Sequence, residues 1–250
     1  MSNPTLSGPI IELLGKHRGS GDKRLLDIPA GKGPVTEAAV RLGYDVIELD
    51  LFAHKQMRGV IADACAPLPF VDESFDVVLS MEGIEHFENQ TNFVRECARV
   101  LKPGGTLVLS TPNLLHMNAR LSSFFTGQRL LKQGIINEVN TLRIRDGNRL
   151  YHGHAYLIDV FRMRYIMRIV GLDLDLVRGT SLSFSSLLLA PLWPAIALVS
   201  KYATWTGRRR LIESGREAPG PDVEQQLNSL ARSSAVLFRK KLIYVASKPS

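Results

Sequence analysis

Asp27 closes a short apolar run and is followed at once by Ile28-Pro29-Ala30-Gly31-Lys32-Gly33. Glycines where a strand turns into a helix let the backbone approach a ligand. The helix start beyond them offers free N–H groups and the positive end of a dipole. A carboxylate or a phosphate suits that place. Asp50 and Asp63 each follow a run rich in Val, Ile and Leu. An acid at the tip of a second strand can accept hydrogen bonds from both hydroxyls of a ribose, and one at the tip of a third can accept from an adenine amino group. A dinucleotide fits less well. Its fingerprint wants a third small residue where this chain has Thr36, and Pro34 removes an N–H that a pyrophosphate would use. A nucleoside bearing a carboxylate satisfies the set better.

Glu82, Glu85 and His86 follow a later apolar run, Phe75–Ser80. A histidine at such a position can take a proton from an incoming hydroxyl. His86 is therefore the first candidate for a base or a cofactor contact, with Glu82 beside it. The spacing Glu82-x-x-Glu85-His86 has a second reading, in which one helical face holds a divalent cation. The preferred reading carries no metal and leaves Glu85 a solvated acid. His116, His152 and His154 lie further along, and each taken singly reads as a surface residue.

The elements that must position these side chains alternate. Arg24–Ile28, Asp45–Leu49, Gly59–Ala62, Phe75–Ser80 and Thr106–Thr111 have the composition of buried parallel strands, bounded by Gly, Pro and Asp. Between them, Pro34–Leu42 and Thr91–Leu101 carry helical spacing, the second stopped by Lys102-Pro103-Gly104-Gly105. Strands alternating with helices give an α/β fold with a doubly wound, mostly parallel sheet, and its crevice lies at the carboxyl ends of the strands.

A chain of 250 residues with 45% apolar and 22% charged residues has room for one sizeable domain. Cys65 and Cys97 cannot build a disulfide framework, which fits a reduced, cytoplasmic setting. The first twenty residues lack a basic segment followed by a long apolar run, so no leader is expected. The net charge of +7 is uneven: residues 1–112 hold 11 Lys/Arg against 15 Asp/Glu, and residues 113–250 hold 20 against 9. A basic second part points to an anionic partner, either nucleic acid or a membrane surface.

Beyond residue 112 the rhythm breaks. Residues 113–150 show helical patches and no convincing strand. A helix over Ala155–Val170, a strand over Leu172–Val177 and a last strand over Lys241–Ala246 resume it. Gly179–Ser200 holds no charge, and as one helix it would span about 33 Å. A single crossing would strand the last β-element on the wrong side of a bilayer, and Pro191 and Pro194 interrupt a straight helix. A shallow or re-entrant helical hairpin is expected instead, with Trp193, Tyr202 and Trp205 at headgroup level and Arg208, Arg209 and Arg210 on lipid phosphates. The alternative is an apolar pair packed on the protein's own core or on a partner subunit. The division that results is a core of residues 1–180 and 222–250, with a basic insertion at 113–153, and an apolar helical insertion and linker at 181–221.

Five stretches, LLDIPAGKG (25–33), VIELD (46–50), ADACAPLPFVDESFDVVLS (62–80), MEGIEHFEN (81–89) and ARVLKPGGTLVLSTPN (98–113), run in order and at spacing that resemble the class I S-adenosylmethionine-dependent methyltransferases, in the group related to the ubiquinone-pathway O-methyltransferases. The resemblance implies a Rossmann-like, seven-stranded sheet and S-adenosylmethionine as cofactor. It places Asp27, Ala30, Gly31 and Gly33 around the methionine portion and Asp50 with Leu51 at the ribose. Asp63 and Ala64 fall at the adenine, with Ser80 and Met81 at the end of the fourth strand. Pro29-Ala30 departs from the family's usual Gly-Cys or Gly-Ser. Some relatives carry Glu-x-x-Glu-His as a metal site. Tyr151-His152-Gly153-His154 resembles a segment preceding a late helix in the group, which puts His154 first among the remaining histidines.

The function expected is methylation, by resemblance O-methylation, of a small-molecule, glycan or lipid-linked acceptor at the inner face of the cytoplasmic membrane. Residues 181–210 would make the peripheral contact. An RNA methyltransferase is the alternative enzyme, supported by the basic half and opposed by the charge-free run, so a nucleic-acid partner is not expected. A non-catalytic cofactor-binding scaffold is the third reading, opposed by the joint presence of Asp50 and Asp63.

Overall fold

Leu25 and Leu26 are both fully buried although neighbours in one strand point to opposite faces, so the sheet must be covered on both sides. The computed structural model describes residues 4–250 except 19–20, 31–32, 53–57, 130–134 and 146–148. Its elements in chain order begin with α1 (Pro4–Arg18), β1 (Lys23–Asp27), α2 (Pro34–Arg41), β2 (Tyr44–Asp50), β3 (Gly59–Ile61) and β4 (Phe75–Met81). Then come α3 (Gln90–Val100), β5 (Leu101–Pro112), α4 (Met117–Thr126), α5 (Glu138–Thr141), β6 (Leu142–Arg145) and β7 (Arg149–His152). The chain ends with α6 (Val160–Ile169), β8 (Asp173–Leu182), α7 (Phe184–Leu188), α8 (Trp193–Glu213), α9 (Pro221–Arg232), α10 (Ser234–Phe238) and β9 (Arg239–Ser247).

Seven strands form one sheet in the order β3-β2-β1-β4-β5-β9-β8, with β9 antiparallel to both neighbours. Strand order reverses at β1, so the carboxyl ends of β1 and β4 flank the crevice that such sheets use for ligands. On one face Leu25, Val77, Leu79, Val108, Ile243 and Val245 pack with α1 and α2. On the other, Leu26, Val78, Leu107, Leu109, Leu242 and Tyr244 pack with α3 and α6. Asn89 caps α3 by accepting the Asn92 N–H at 3.0 Å, and the chain turns directly from Val100 into β5.

Several expectations need correction. The basic stretch contains a β-hairpin, β6 paired antiparallel with β7 in the register Leu142↔His152. Its strands are too short and arginine-rich to stand out, although Leu142 and Ile144 do alternate with arginines. Helix α6 starts at Val160, because Asp159 accepts the N–H groups of Phe161 and Arg162 and fixes the helix start there. The boundary at residue 181 cuts a strand, since β8 runs to Leu182 and the apolar excursion begins at Ser183.

The charge-free run is not a hairpin of two similar arms. α7 and a single 3₁₀ turn at Ala190–Leu192 lead into the 21-residue α8, which tolerates Pro194 because its missing N–H falls in the first turn. Leu189, Ala190 and Ile196 pack against Met117, Leu237 and Phe238, so part of the run does cover the protein's own core. Among the described residues, no helix is long and apolar enough to cross a membrane. Two of the three arginines expected on lipid phosphates already face carboxylates, Arg208 with Glu224 at 3.2 Å and Arg209 with Glu213 at 2.6 Å.

Candidate functional site

A cavity of about 530 Å³ opens at the carboxyl ends of β1, β2 and β4. Asp50 and Leu51 line it from the tip of β2, Asp63 and Ala64 from beyond β3, and Met81, Glu82 and His86 from beyond β4. Asp63 lies two residues past β3, in a turn closed by the Ala66 N–H on its carbonyl at 3.1 Å. Each acid also organises its own loop. Asp50 accepts the Phe52 N–H at 2.9 Å and Asp63 the Cys65 N–H at 2.8 Å, so each carboxylate is held by its own loop.

The turn after β1 is tied to both neighbouring strands. Ile28 N–H donates to Leu79 O at 2.9 Å and Ala30 N–H to Leu49 O at 2.8 Å. Pro29 lines the cavity, whereas Asp27, Ala30, Gly33 and Ser80 do not line it. Gly31 lies outside the described residues. Gly33 caps α2 without a side-chain hydrogen bond among the described residues, and Pro34 at the first turn brings no N–H of its own. Asp27 is buried beneath the turn, accepts the Thr36 hydroxyl at 2.6 Å, and among the described residues keeps Oδ1 without a partner. Burial pushes its carboxyl up to about 7, Thr36 opposes that shift, and the nearby Glu48 and Asp50 add to it. A cationic group brought to Oδ1 would reverse the shift. Ser80 is buried at the end of β4 with an unpartnered hydroxyl.

The chemistry beyond β4 is held by contacts across long stretches of chain. Glu82 adopts φ 53°, left-handed and unusual for a non-glycine residue. Its carboxylate pairs with the Lys241 ammonium, which reaches over from β9, while Oε1 has no partner among the described residues. Gly83 follows because only a glycine fits: a Cβ there would fall 2.3 Å from Pro29 Cδ. A 3₁₀ turn over Ile84–His86 then points Glu85 inward and His86 toward the cavity. Glu85 is fully buried rather than solvated. It accepts the Thr111 hydroxyl at 3.0 Å, keeps Oε1 unpartnered, and has its carboxyl raised well above the usual range by burial and by the charge of Glu82.

His86 Nδ1 lies 2.7 Å from the carbonyl oxygen of His152, and the His154 ring packs edge-on at 5.1 Å between centroids. Loss of ring hydration, with the charges of His86, Lys241 and Arg129, pulls His154 down to about 4. His116 is not a surface residue. It is buried, caps α4 through the Ala119 N–H at 3.3 Å and meets Ser186 at 3.1 Å, so it fixes a helix. His152 contributes its backbone to His86 and its ring to Glu88, at 2.7 Å.

Among the described residues, Glu85, His86 and His154 bring one carboxylate oxygen and two imidazole nitrogens within 4.8 Å of one another. Glu82, a member of the spacing-based set, is instead taken by Lys241. Lys241 and Arg129 were not found from the sequence. Arg129 ends the turn after α4 with Nη1 buried and, among the described residues, unpartnered, and its charge is felt by Glu82 and Glu85.

Residues 26–109 match a family model described as a methyltransferase domain. The ubiquinone biosynthesis O-methyltransferase of Agrobacterium fabrum is 34% identical over 128 residues, covering 46% of this chain and 51% of that protein. A relative of the same description from Bradyrhizobium sp. is 39% identical over 101 residues, 36% of this chain and 40% of that protein. The chain thus spans about half the length, or less, of the curated relatives it matches. Among solved structures, a SAM-dependent methyltransferase from Archaeoglobus fulgidus superposes with a TM-score of 0.53 at 15% identity, covering 97% of this chain and 94% of that one. At that identity the likeness is one of fold.

Proposed function

We propose that this chain, which carries a class I S-adenosylmethionine-dependent methyltransferase domain related to the ubiquinone-biosynthesis O-methyltransferases, methylates a hydroxyl of a small-molecule, glycan or lipid-linked acceptor. The observation that carries the reading is one cavity lined together by Asp50, Asp63, Glu82 and His86. The acids suit the ribose and adenine of the cofactor, and the turn after β1, with buried Asp27 beneath it, suits its methionine end.

Bound S-adenosylmethionine supplies a methyl group already activated on a sulfonium. The protein's own task is alignment, exclusion of water and removal of one proton. A carbonyl can only accept, so His86 donates Nδ1–H to His152 O, and its neutral ring carries a lone pair on Nε2. Nε2 takes the hydroxyl proton as the oxygen–methyl bond forms and the methyl–sulfur bond breaks, the bonding pair staying on sulfur. Glu82, anchored by Lys241, turns its unpartnered Oε1 to orienting the hydroxyl.

The acceptor is read as membrane-proximal, because Phe184 and Leu188 of α7 are 75% and 83% exposed and Phe124 and Phe125 of α4 are 82% and 74% exposed. The test is calorimetric titration with S-adenosylhomocysteine, followed by transfer of a radiolabelled methyl into lipid and small-molecule fractions of a cell extract. The reading predicts binding and label in an ether. Absence of homocysteine-nucleoside binding would overturn it.

A further inference from the structure

The two carboxylates of Glu82-x-x-Glu85-His86 stand where a divalent ion is the obvious counter-charge, yet the chain brings its own cations to them. Lys241 sits on β9, beside β5, in register with Pro112, and so at the carboxyl end of the sheet. Its ammonium pairs directly with Glu82, the two side chains each about one-fifth exposed. Its charge also reaches Glu85 and His154. Arg129 enters from the turn that Gly127, at φ 75°, makes at the end of α4, and its buried guanidinium acts on the same three groups. The remaining donors, Glu85, His86 and His154, therefore share their surroundings with two fixed positive charges.

We infer that Lys241 is a positioning residue: its ammonium is the resident cation of the Glu82 carboxylate, holds that strained residue in place, and lets the cluster work without a divalent ion. The inference rests on the methyltransferase reading for what the cluster does, but not for what it binds. A divalent ion among buried Glu85, half-buried His86 and exposed His154 would meet like charges from Lys241 and Arg129, which opposes its entry. Nor does Glu82 belong to that group of three, since its carboxylate is paired with Lys241 across two side chains each about one-fifth exposed.

The experiment is a Mn²⁺ titration, followed by electron paramagnetic resonance and calorimetry, of the full chain, Lys241→Gln and Lys241→Arg. The same preparations are titrated with S-adenosylhomocysteine. The wild-type chain should take up Mn²⁺ no better than millimolar, and Lys241→Arg should match it. Lys241→Gln should bind Mn²⁺ about tenfold to a hundredfold more tightly, the range over which changes around a metal site act. Micromolar Mn²⁺ binding by the wild type overturns the inference, and so does Lys241→Gln with no gain. Should Lys241→Gln fail to fold, the wild-type titration and a Glu82→Gln variant decide. Weak wild-type binding that Glu82→Gln leaves unchanged supports the inference, and a wild-type affinity that Glu82→Gln destroys overturns it. Loss of S-adenosylhomocysteine binding in the wild type would instead sink the methyltransferase reading and leave the cation result standing.

Discussion

The carbonyl oxygen of His152 fixes the tautomer of His86, 2.7 Å from its Nδ1 and 66 residues away in the chain. In the neutral form of the ring, Nδ1 then donates and Nε2 accepts. Replacing His86 by alanine should lower the rate of methyl transfer by about 10²- to 10⁴-fold, the range for a positioned base. Affinity for S-adenosylhomocysteine should stay within about twofold. Stopped-flow or label-transfer rates next to calorimetry separate the two effects. A His86→Ala rate equal to wild type would remove the base from the mechanism.

Asp27 makes a pH prediction for the cofactor-free protein. Its carboxyl is raised from 3.8 to about 7 by burial, so the folded state holds a proton that the unfolded chain releases. A raised folded value contributes stability below the unfolded pKa, and that contribution is lost as pH climbs through the folded one. The window runs from about pH 4 to 7, and its size is at most about 4 kcal/mol. Asp27→Asn cannot titrate. The difference in melting temperature between wild type and Asp27→Asn should therefore move against the wild type between pH 5 and pH 8. A constant difference across that range would show that Asp27 keeps an ordinary pKa.

Where the chain speaks locally, its reading matches the fold closely. β1, β2, β4 and α3 fall within a residue or two of their sequence limits, because apolar runs bounded by Gly, Pro and Asp leave little freedom. Asp50, Asp63, Ala64, Met81, Glu82 and His86 follow from those strands and meet in one cavity. Illegible were the partners that arrive from far away. Lys241 is 159 residues from Glu82 and looked like one residue of a final strand. Helix α1 was missed as well. Gly8, Pro9 and Gly15 make it a poor helix by propensity, and the burial of Leu6, Ile10, Leu13 and Leu14 against the sheet sustains it. His116 shows the opposite failure: a polar residue near a basic stretch reads as surface until the Ser186 partner, 70 residues on, is seen.

Gly83 ties the turn after β4 to the turn after β1. An added Cβ would sit 2.3 Å from Pro29 Cδ and 2.8 Å from Pro29 Cγ, and a proline ring cannot swing aside as a flexible chain end would. Gly83→Ala should cost about 1–3 kcal/mol, as overpacking does. It should also weaken S-adenosylhomocysteine binding, because the displaced residue lines the cavity. Denaturant unfolding and calorimetry on one variant test both effects together. Full stability with full affinity would mean that the two loops do not touch.

The exposed apolar residues of α4 and α7 give the membrane reading its own test. Phe124, Phe125, Phe184 and Leu188 stand on two helices in contact with each other, while the adjoining Leu189 and Ile196 are committed to the interior. Changing the four outward residues to serine should leave the fold intact, since none supports the core. Burial of each aromatic or leucine in lipid is worth about 1.5–3 kcal/mol, so the combined variant should lose nearly all co-sedimentation with phosphatidylglycerol vesicles. Because Arg208 and Arg209 are already paired with acids, added salt should weaken the wild-type interaction less than the serine changes do. Vesicle binding that survives the four substitutions but vanishes in salt would assign the contact to the basic surface instead, and with it the case for an apolar docking face would fall.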